Sequence, residues 1–451
     1  MFSAFQTFGK LGAMASSVAR AWSPLALWPD GIASPGMWID PSLLTASFND
    51  STGTTPVSTP GTVADSSNPV GLALDLRLGA TALTDPGNHL LQATSTARPL
   101  ESARVNLLQG SESSTGRVNT GITPNYSYGT SGSSKVWSLT PTAATGVHKQ
   151  DFATYVPTGQ LTLKLRAKSN GYKRINVGEG GNGQLGNIVI NVQTATIETN
   201  SFGRNVTASL DEYGYCVCVI VYTYSISPGF FVSILDDAAP GNTYGNTSYL
   251  ADGTSGVLFA DLQVNLGPTA LPYQRVGAAS DYTATGFPQY LKFDGVDDAL
   301  SSETFAAGTL TSSMDCLIAV RRDSGANAVC GLYESVSDAN KVFGIAESGS
   351  GSGCVGSGAG TPTVWVDGAQ LTGGTAVTRG TLHTALTVGD WHILELRGLD
   401  LSTWTAAGAG LYTSYVLNGA PGGILLFPSS TPTADRDAAR TWLGAKVGLT
   451  L

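Results

Sequence analysis

Few residues in the chain could do chemistry, and their spacing does not gather them. The four histidines are His89, His148, His383 and His392, none at helical His-x-x-x-His spacing and none beside an obvious nucleophile. His392 follows Trp391 in an apolar run and reads as part of a buried strand. No Gly-x-Ser-x-Gly elbow occurs, so a serine hydrolase of that kind is not supported. GEGGNG, from Gly178 to Gly183, has the letters of a dinucleotide loop, which needs a strand before it and a helix after it. The following QLGNIVINV has a strand pattern, so a wide loop is expected instead. Asp294, Asp297 and Asp298 offer oxygen ligands of the kind calcium takes, but three carboxylates after a strand also suit a turn, and no metal site is expected. Asp236 with Asp237 is a weaker case. Acid pairs for glycoside cleavage are defined by spatial separation, and among 33 acidic residues no pair stands out. The expectation is a protein that is not an enzyme and uses no cofactor.

Cys216 and Cys218 lie two apart, so on a strand they share one face and do not form an ordinary disulfide with each other. Cys316 and Cys330 fall in apolar runs, and Cys354 in a Gly/Ser loop. Five is odd, so at least one thiol is free unless chains are bridged. All five read as small core residues. Recognition, if present, would use aromatic rings, which stack on sugar faces. Trp404, Tyr412 and Tyr415, in a Gly/Thr/Ser-rich stretch, and Tyr244 with Tyr249, in GNTYGNTSYL, are the glycan-binding candidates. Each could instead be a ring packed on a sandwich edge or between subunits.

The elements that would position these residues are strands. Charged residues are only 13% of the 451, and 56 glycines with abundant Ser and Thr take their place. Lys and Glu populate exposed helix faces, while Thr and aromatic residues suit pleated surfaces. The net charge of −9 argues against a nucleic-acid footprint and an anionic membrane surface. The longest apolar run, Cys216 to Tyr224, is too short to span a bilayer, and no export leader is recognised. Runs LTLKLRAK (161–168), IVINVQTATI (188–197), YCVCVIVYTYS (215–225), FFVSILD (230–236) and VLFADLQVNL (257–266) are separated by polar turns, the pattern of a sandwich. VWVDGAQL (364–371) carries an Asp-Gly hairpin turn.

The ends read as helices. Phe2, Phe5, Phe8, Leu11, Met14 and Val18 form one stripe over residues 2–20. Such a helix is marginal alone: it either packs on its own chain, inserts into a partner or a self-associating bundle, or lies on a membrane surface. Near the other end, TPTADRDAARTWLGAKVGL predicts a short helix capped by Thr433, with Ala438, Ala439, Trp442, Leu443 and Val447 as its buried stripe.

Three stretches resemble bacteriophage virion proteins. GMWIDPSLLTASFNDSTGTTPV (36–57) and VGLALDLRLGATALTDPGNHLLQATSTARP (70–99) look like a segment recurrent in phage tail and virion proteins, matched at Trp38, Asp40, Pro41, Phe48, Asp50, Thr54, Thr55, Pro56, Asp75, Gly87, Asn88, His89, Arg98 and Pro99. RVNLLQGSE, EYGYCVCVIVYTY and FADLQVNLGPTALPYQRV resemble a carbohydrate-binding-like jelly roll of phage fibres; its Gly-Trp-Tyr-Arg strand is replaced here by Gly214-Tyr215-Cys216. FPQYLKFDGVDDAL, VWVDGAQL and GDWHILELRGLD resemble laminin-G-like, concanavalin A-like sandwiches.

The expected architecture is therefore mostly β, two antiparallel β-sandwich (jelly-roll) modules after an N-terminal helix and an irregular segment. Residues 1–22 would be a helical anchor, 23–104 an irregular virion-protein segment, 105–277 the jelly roll, and 285–451 the second sandwich with its closing helix. The resemblance implies a fibre or spike on the virion surface, assembled in the host cytoplasm. It would be attached through Phe2, Phe5, Phe8 and Leu11 to capsid, portal or tail proteins, be homo-oligomeric and often trimeric, and contact host glycan. A purely architectural head-decoration, tail or collar protein is the alternative, and a polysaccharide-degrading spike the third.

Overall fold

The computed structural model describes the chain apart from residues 1–21, 31–32, 61–67, 86, 133, 153–158, 180–186, 202, 225–229, 238–247, 279–280, 303–309, 324–331, 334–339, 345, 372–376 and 411–416. The expected anchor helix, with Phe2, Phe5, Phe8 and Leu11, thus lies outside the described residues. The fold is mostly β, with antiparallel sheets packed in pairs. No helix among the described residues is long and apolar enough to cross a membrane.

The first sandwich has two six-stranded sheets. One runs in the order Thr196–Asn200, Ile188–Asn191, Arg174–Glu179, Phe230–Leu235, Lys149–Phe152, Arg117–Thr120; the other in the order Asn205–Leu210, Cys216–Tyr224, Gly159–Asn170, Gly256–Leu266, Ser134–Pro141, Ile122–Ser131. The strand Gly159–Asn170 explains the packing. Leu161, Leu163, Leu165 and Ala167 alternate into the core, where they meet Trp137, Ile175, Val232 and Phe259, while Lys164, Arg166 and Lys168 take the opposite face. Cys216 and Cys218 share the inward face and are buried free thiols, as are Cys316 and Cys354. The run 188–197 is a hairpin rather than one strand, because Ala195 takes a positive φ of 53°.

The second sandwich pairs an eight-stranded with a seven-stranded sheet. Its central strand Met314–Arg322 is buried throughout. Cys316, Ile318 and Val320 face the core between the sheets; Leu317 and Ala319 face outward, beneath the helix α2, Thr433–Lys446. Coverage on both faces is why the strand's middle, Cys316 to Val320, reads as a continuous apolar run. Helix α2 buries Ala439, Leu443 and Gly444; its cap position is Pro432 and Thr433 is already helical, so the expected threonine cap is corrected. A second helix, α1 (Arg379–Ala385), had no sequence signal and is capped by Thr378. The Asp-Gly turn is present, with positive φ at Asp367 and Gly368.

Residues 23–104 do not stand apart. Met37–Ile39 pairs with Asn418–Pro428, and Leu100–Ser102 pairs with Tyr290–Asp294. Ser47–Phe48, Leu72–Ala73 and Leu90–Leu91 build three strands of the seven-stranded sheet. The segment is irregular but belongs to the second sandwich, and the first sandwich is an insertion into it. The two crossings are joined by a buried polar network. Gln274 Oε1 accepts from the Val105 and Asn106 amides, Asn106 Nδ2 donates to the Gln274 carbonyl at 2.9 Å, and the Tyr290 hydroxyl donates to the Arg104 carbonyl at 2.6 Å.

Candidate functional site

The most developed surface site among the described residues lies on the outer face of the first sandwich, built around Arg166. The alternation that buries Leu165 and Ala167 places Arg166 on this face, over a floor of Val136, Tyr215, Leu258 and Ala260. Its Nε donates to Asp211 Oδ2 at 2.8 Å, Nη1 to Asp261 Oδ2 at 3.1 Å, and Nη2 to Ser131 Oγ at 3.2 Å. The guanidinium also covers the Tyr215 ring at 4.7 Å.

Two local features aim the carboxylates. The strands Gly159–Asn170 and Gly256–Leu266 slip register between Lys164 and Arg166, and at this bulge Asp261 has a φ of 50°. Bulges re-aim side chains, and Asp tolerates the left-handed region better than most residues. Asp211 opens the turn before Cys216–Tyr224: its Oδ1 accepts the Tyr213 and Tyr215 amides, both at 2.9 Å, and Gly214 supplies the positive φ that closes the turn. Tyr213 is thereby held at the turn tip, 49% exposed. Tyr128, on the edge strand Ile122–Ser131, is 46% exposed. Ser131, Gly132, Ser134, Arg166, Asp211, Glu212 and Tyr213 line a shallow cavity of about 220 Å³.

The electrostatics fit recognition better than catalysis. Burial opposes the Arg166 charge, but hydrogen bonds and charges from Asp211 and Asp261 outweigh it and raise the guanidinium above its ordinary value. Burial would likewise raise the Asp211 carboxyl, but the Tyr215 amide and Arg166 hold it below the usual range. A general acid for glycoside cleavage needs a raised pKa, and Asp211 is shifted the opposite way. The cavity offers the hydroxyls of Ser131 and Ser134, the fixed Asp211 carboxylate and one exposed ring, Tyr213, with no histidine or cysteine in its described lining. A larger cavity, about 400 Å³, lies between described residues of 26–35 and the strand ends near Thr311 and Pro428, but no aromatic ring among the described residues lines it.

The rings singled out from sequence are placed otherwise. Trp404 is 5% exposed, donates through Nε1 to the Gly358 carbonyl at 3.1 Å, and packs near Phe343. Tyr249 is 8% exposed, donates to the Ile234 carbonyl at 3.1 Å, and lies edge-on to His148. Neither ring has a face open to a sugar, which corrects their assignment as glycan binders: in Gly-rich stretches a large ring is the piece that fills the core. Tyr244, Tyr412 and Tyr415 lie outside the described residues. Tyr128 and Tyr213 were missed. The signal for Tyr213 was DEYGY, an Asp-to-Gly turn between two alternating strands.

The remaining candidates are structural. His148 bonds the Gly121 and Tyr249 carbonyls, and His392 lies 2.7 Å from Asp367 Oδ2 while its Nε2 accepts the Thr387 amide. The strand Arg174–Glu179 leads into the glycine run and Ile188–Asn191 follows it, and residues 180–183 of the run lie outside the described residues. Asp294, Asp297 and Asp298 bring oxygens within 4.8 Å of one another. They also make the turn: Asp298 Oδ2 accepts the Asp294 amide, and Asp294 Oδ1 the Val296 amide. Neither the protein-family models nor the curated proteins compared with this chain give a match.

Proposed function

We propose that the chain is a structural surface protein of a bacteriophage virion, a head or tail fibre or spike, that presents its jelly-roll insertion for contact with host glycan without cleaving it. The observation that carries the binding role is the pair of exposed rings, Tyr128 and Tyr213, beside the locked Arg166, Asp211 and Asp261 set. Rings held out of the core by a tight turn can stack on a sugar face, and prepositioned donors and acceptors can meet its hydroxyls without further ordering cost. Residues 1–22, with Phe2, Phe5, Phe8 and Leu11, would attach the protein to the particle. The test is binding of the full chain to an array of host surface polysaccharides, alongside Tyr213→Ala and Tyr128→Ala. Binding that both changes weaken supports the role. No binding to any host glycan, with normal incorporation into particles, overturns it.

The purely architectural reading has its own support in the burial of Trp404 and Tyr249 and in the small cavity, which falls below the ~300–1,000 Å³ usual for ligand pockets.

A further inference from the structure

We infer that the outer-face cavity beside Tyr213 selects glycans that carry a free, protonated amino group and turns away anionic sugars. This rests on the glycan-contact reading and names the class of sugar that the cavity takes.

Three charged residues line the cavity: Arg166, Asp211 and Glu212. Two of them are already engaged. Every nitrogen of the Arg166 guanidinium faces an oxygen: Nε donates to Asp211 Oδ2 at 2.8 Å, Nη1 to Asp261 Oδ2 at 3.1 Å, and Nη2 to Ser131 Oγ at 3.2 Å. Nη2 also lies 2.6 Å from Asp211 Oδ2. Both oxygens of Asp211 are engaged in turn, Oδ1 by the Tyr213 and Tyr215 amides and Oδ2 by Arg166. The one cation of the lining is therefore turned inward, onto the protein's own carboxylates.

Glu212 is the charge left for a ligand. It is exposed and joins no ion pair among the described residues, and an ionised carboxylate only accepts hydrogen bonds. A carboxylated, sulfated or phosphorylated sugar would meet no free cation in this lining and would be repelled by Glu212 and Asp211. A protonated amine meets Glu212 in a charge-assisted hydrogen bond, stronger than a neutral hydroxyl makes. The neighbouring Tyr213 ring, held out at the turn tip, attracts a cation through its face. The lysines on this face do not reverse the balance. Lys164 and Lys168 share it with Arg166, but neither lines the cavity, and Lys168 Nζ donates to the Tyr213 carbonyl at 2.9 Å. Asp261, whose Oδ1 is buried without a partner, adds a further negative charge beside Arg166. An exposed ion pair contributes modestly, so the preference is severalfold rather than absolute.

The test titrates the full chain with three oligosaccharides of equal length: one of glucosamine, its N-acetylated form, and one of galacturonic acid. The expected order of affinity is amine, then N-acetyl, then acid. Glu212→Gln should weaken amine binding by about threefold or more and leave N-acetyl binding unchanged. The variant removes an exposed, unpaired group, so its melting midpoint should match that of the parent. Asp30→Asn, which removes an exposed charge at the second sandwich, should change neither. Equal affinity for amine and N-acetyl forms, with both weakened by Tyr213→Ala, overturns amine selection and leaves the glycan-contact reading standing. A loss that Asp30→Asn reproduces reduces the preference to bulk charge and overturns it too. Binding of none of the three also overturns it, while the wider reading stands or falls on the array of host polysaccharides.

Discussion

The Asp75 amide donates to His89 Nδ1 at 2.9 Å, with both residues buried. Since Nδ1 accepts, the ring proton sits on Nε2, which donates to the Asp85 carbonyl at 2.9 Å. The Asp75 carboxylate in turn accepts the amides of Trp38, Arg77 and Asn88 and pairs with Arg77 Nε at 3.1 Å. A segment poor in strands has few ladder bonds, so its buried amides must find side chains. The residues that gave residues 36–99 a virion-protein look thus hold an irregular stretch in shape. Asp50, bonded to Thr52, Thr54 and Thr55, and Arg98, bonded to the carbonyls of Asn49, Gln92 and Ala93, do the same.

Asp75→Ala should therefore destabilise the second sandwich strongly. It strips three amides of their acceptor and leaves the buried Arg77 guanidinium without its carboxylate. Breaking a buried pair on one side costs about 3–5 kcal/mol. Urea unfolding should register a loss of that size, with Asp75→Asn milder because its carbonyl oxygen still accepts. A loss below about 1 kcal/mol, the level of a surface change, would contradict this account.

Gly389 and Gly267 set how closely the two sandwiches meet. A Cβ on Gly389 would fall on the backbone nitrogen of Gly267, and both glycines have positive φ, 86° and 84°. Backbone cannot yield as a flexible side chain can, so Gly389→Ala should push the loop Thr387–Asp390 away from the first sandwich. Hydrogen exchange should then quicken at the Gly267 amide, which donates to the Gln160 carbonyl at 2.9 Å. Unchanged protection there would mean the contact is slack.

Much of the fold was legible because its cores obey simple alternation. The runs at 161–168, 215–225, 230–236 and 257–266 became strands within a residue or two, and Cys216 and Cys218 fell on one buried face. The strands Ile122–Ser131 and Lys149–Phe152 were not legible, since Thr, Ser and Asn interrupt the first, Lys, Gln and Asp make up most of the second, and no apolar period emerges. Nor was the joining of residues 37–102 to residues 290–428, which depends on pairings hundreds of residues apart. The site failed for a related reason. Composition says which rings exist, but burial decides which are free, and Trp404 and Tyr213 have similarly polar neighbours with opposite fates.

Asp298 should make stability fall as pH rises toward neutral. Burial, with the charges of Asp294 and Asp297, pushes its carboxyl up to about 7 from 3.8. Between those values the folded state holds a proton that the unfolded state releases, so stability decreases with rising pH. The contribution is fully present below the unfolded pKa and lost above about 7, at ~1.4 kcal/mol per pH unit at most. Glu101, fully buried with neither oxygen hydrogen-bonded among the described residues, is raised by burial and acts in the same sense. Asp298→Asn keeps an acceptor for the Asp294 amide and removes the titration. Denaturant melts from pH 4 to pH 8 should show a flatter profile for the variant and greater stability above pH 7. Parallel profiles would mean that Asp298 is ionised throughout.

A binding role for the outer face predicts that stability and affinity separate at two neighbouring residues. Tyr213 is half exposed, so Tyr213→Ala should leave the melting midpoint nearly unchanged, since exposed changes usually stay within about 0.5 kcal/mol. Arg166 is 8% exposed and joins three elements through Asp211, Asp261 and Ser131. Arg166→Ala should lower the midpoint clearly, because two partly buried carboxylates lose their counter-charge. Glycan affinity, where array binding is found, should drop at least tenfold for Tyr213→Ala, ~1.4 kcal/mol. If instead Tyr213→Ala destabilises the fold as much as Arg166→Ala, the ring is packing rather than platform, and the architectural reading gains.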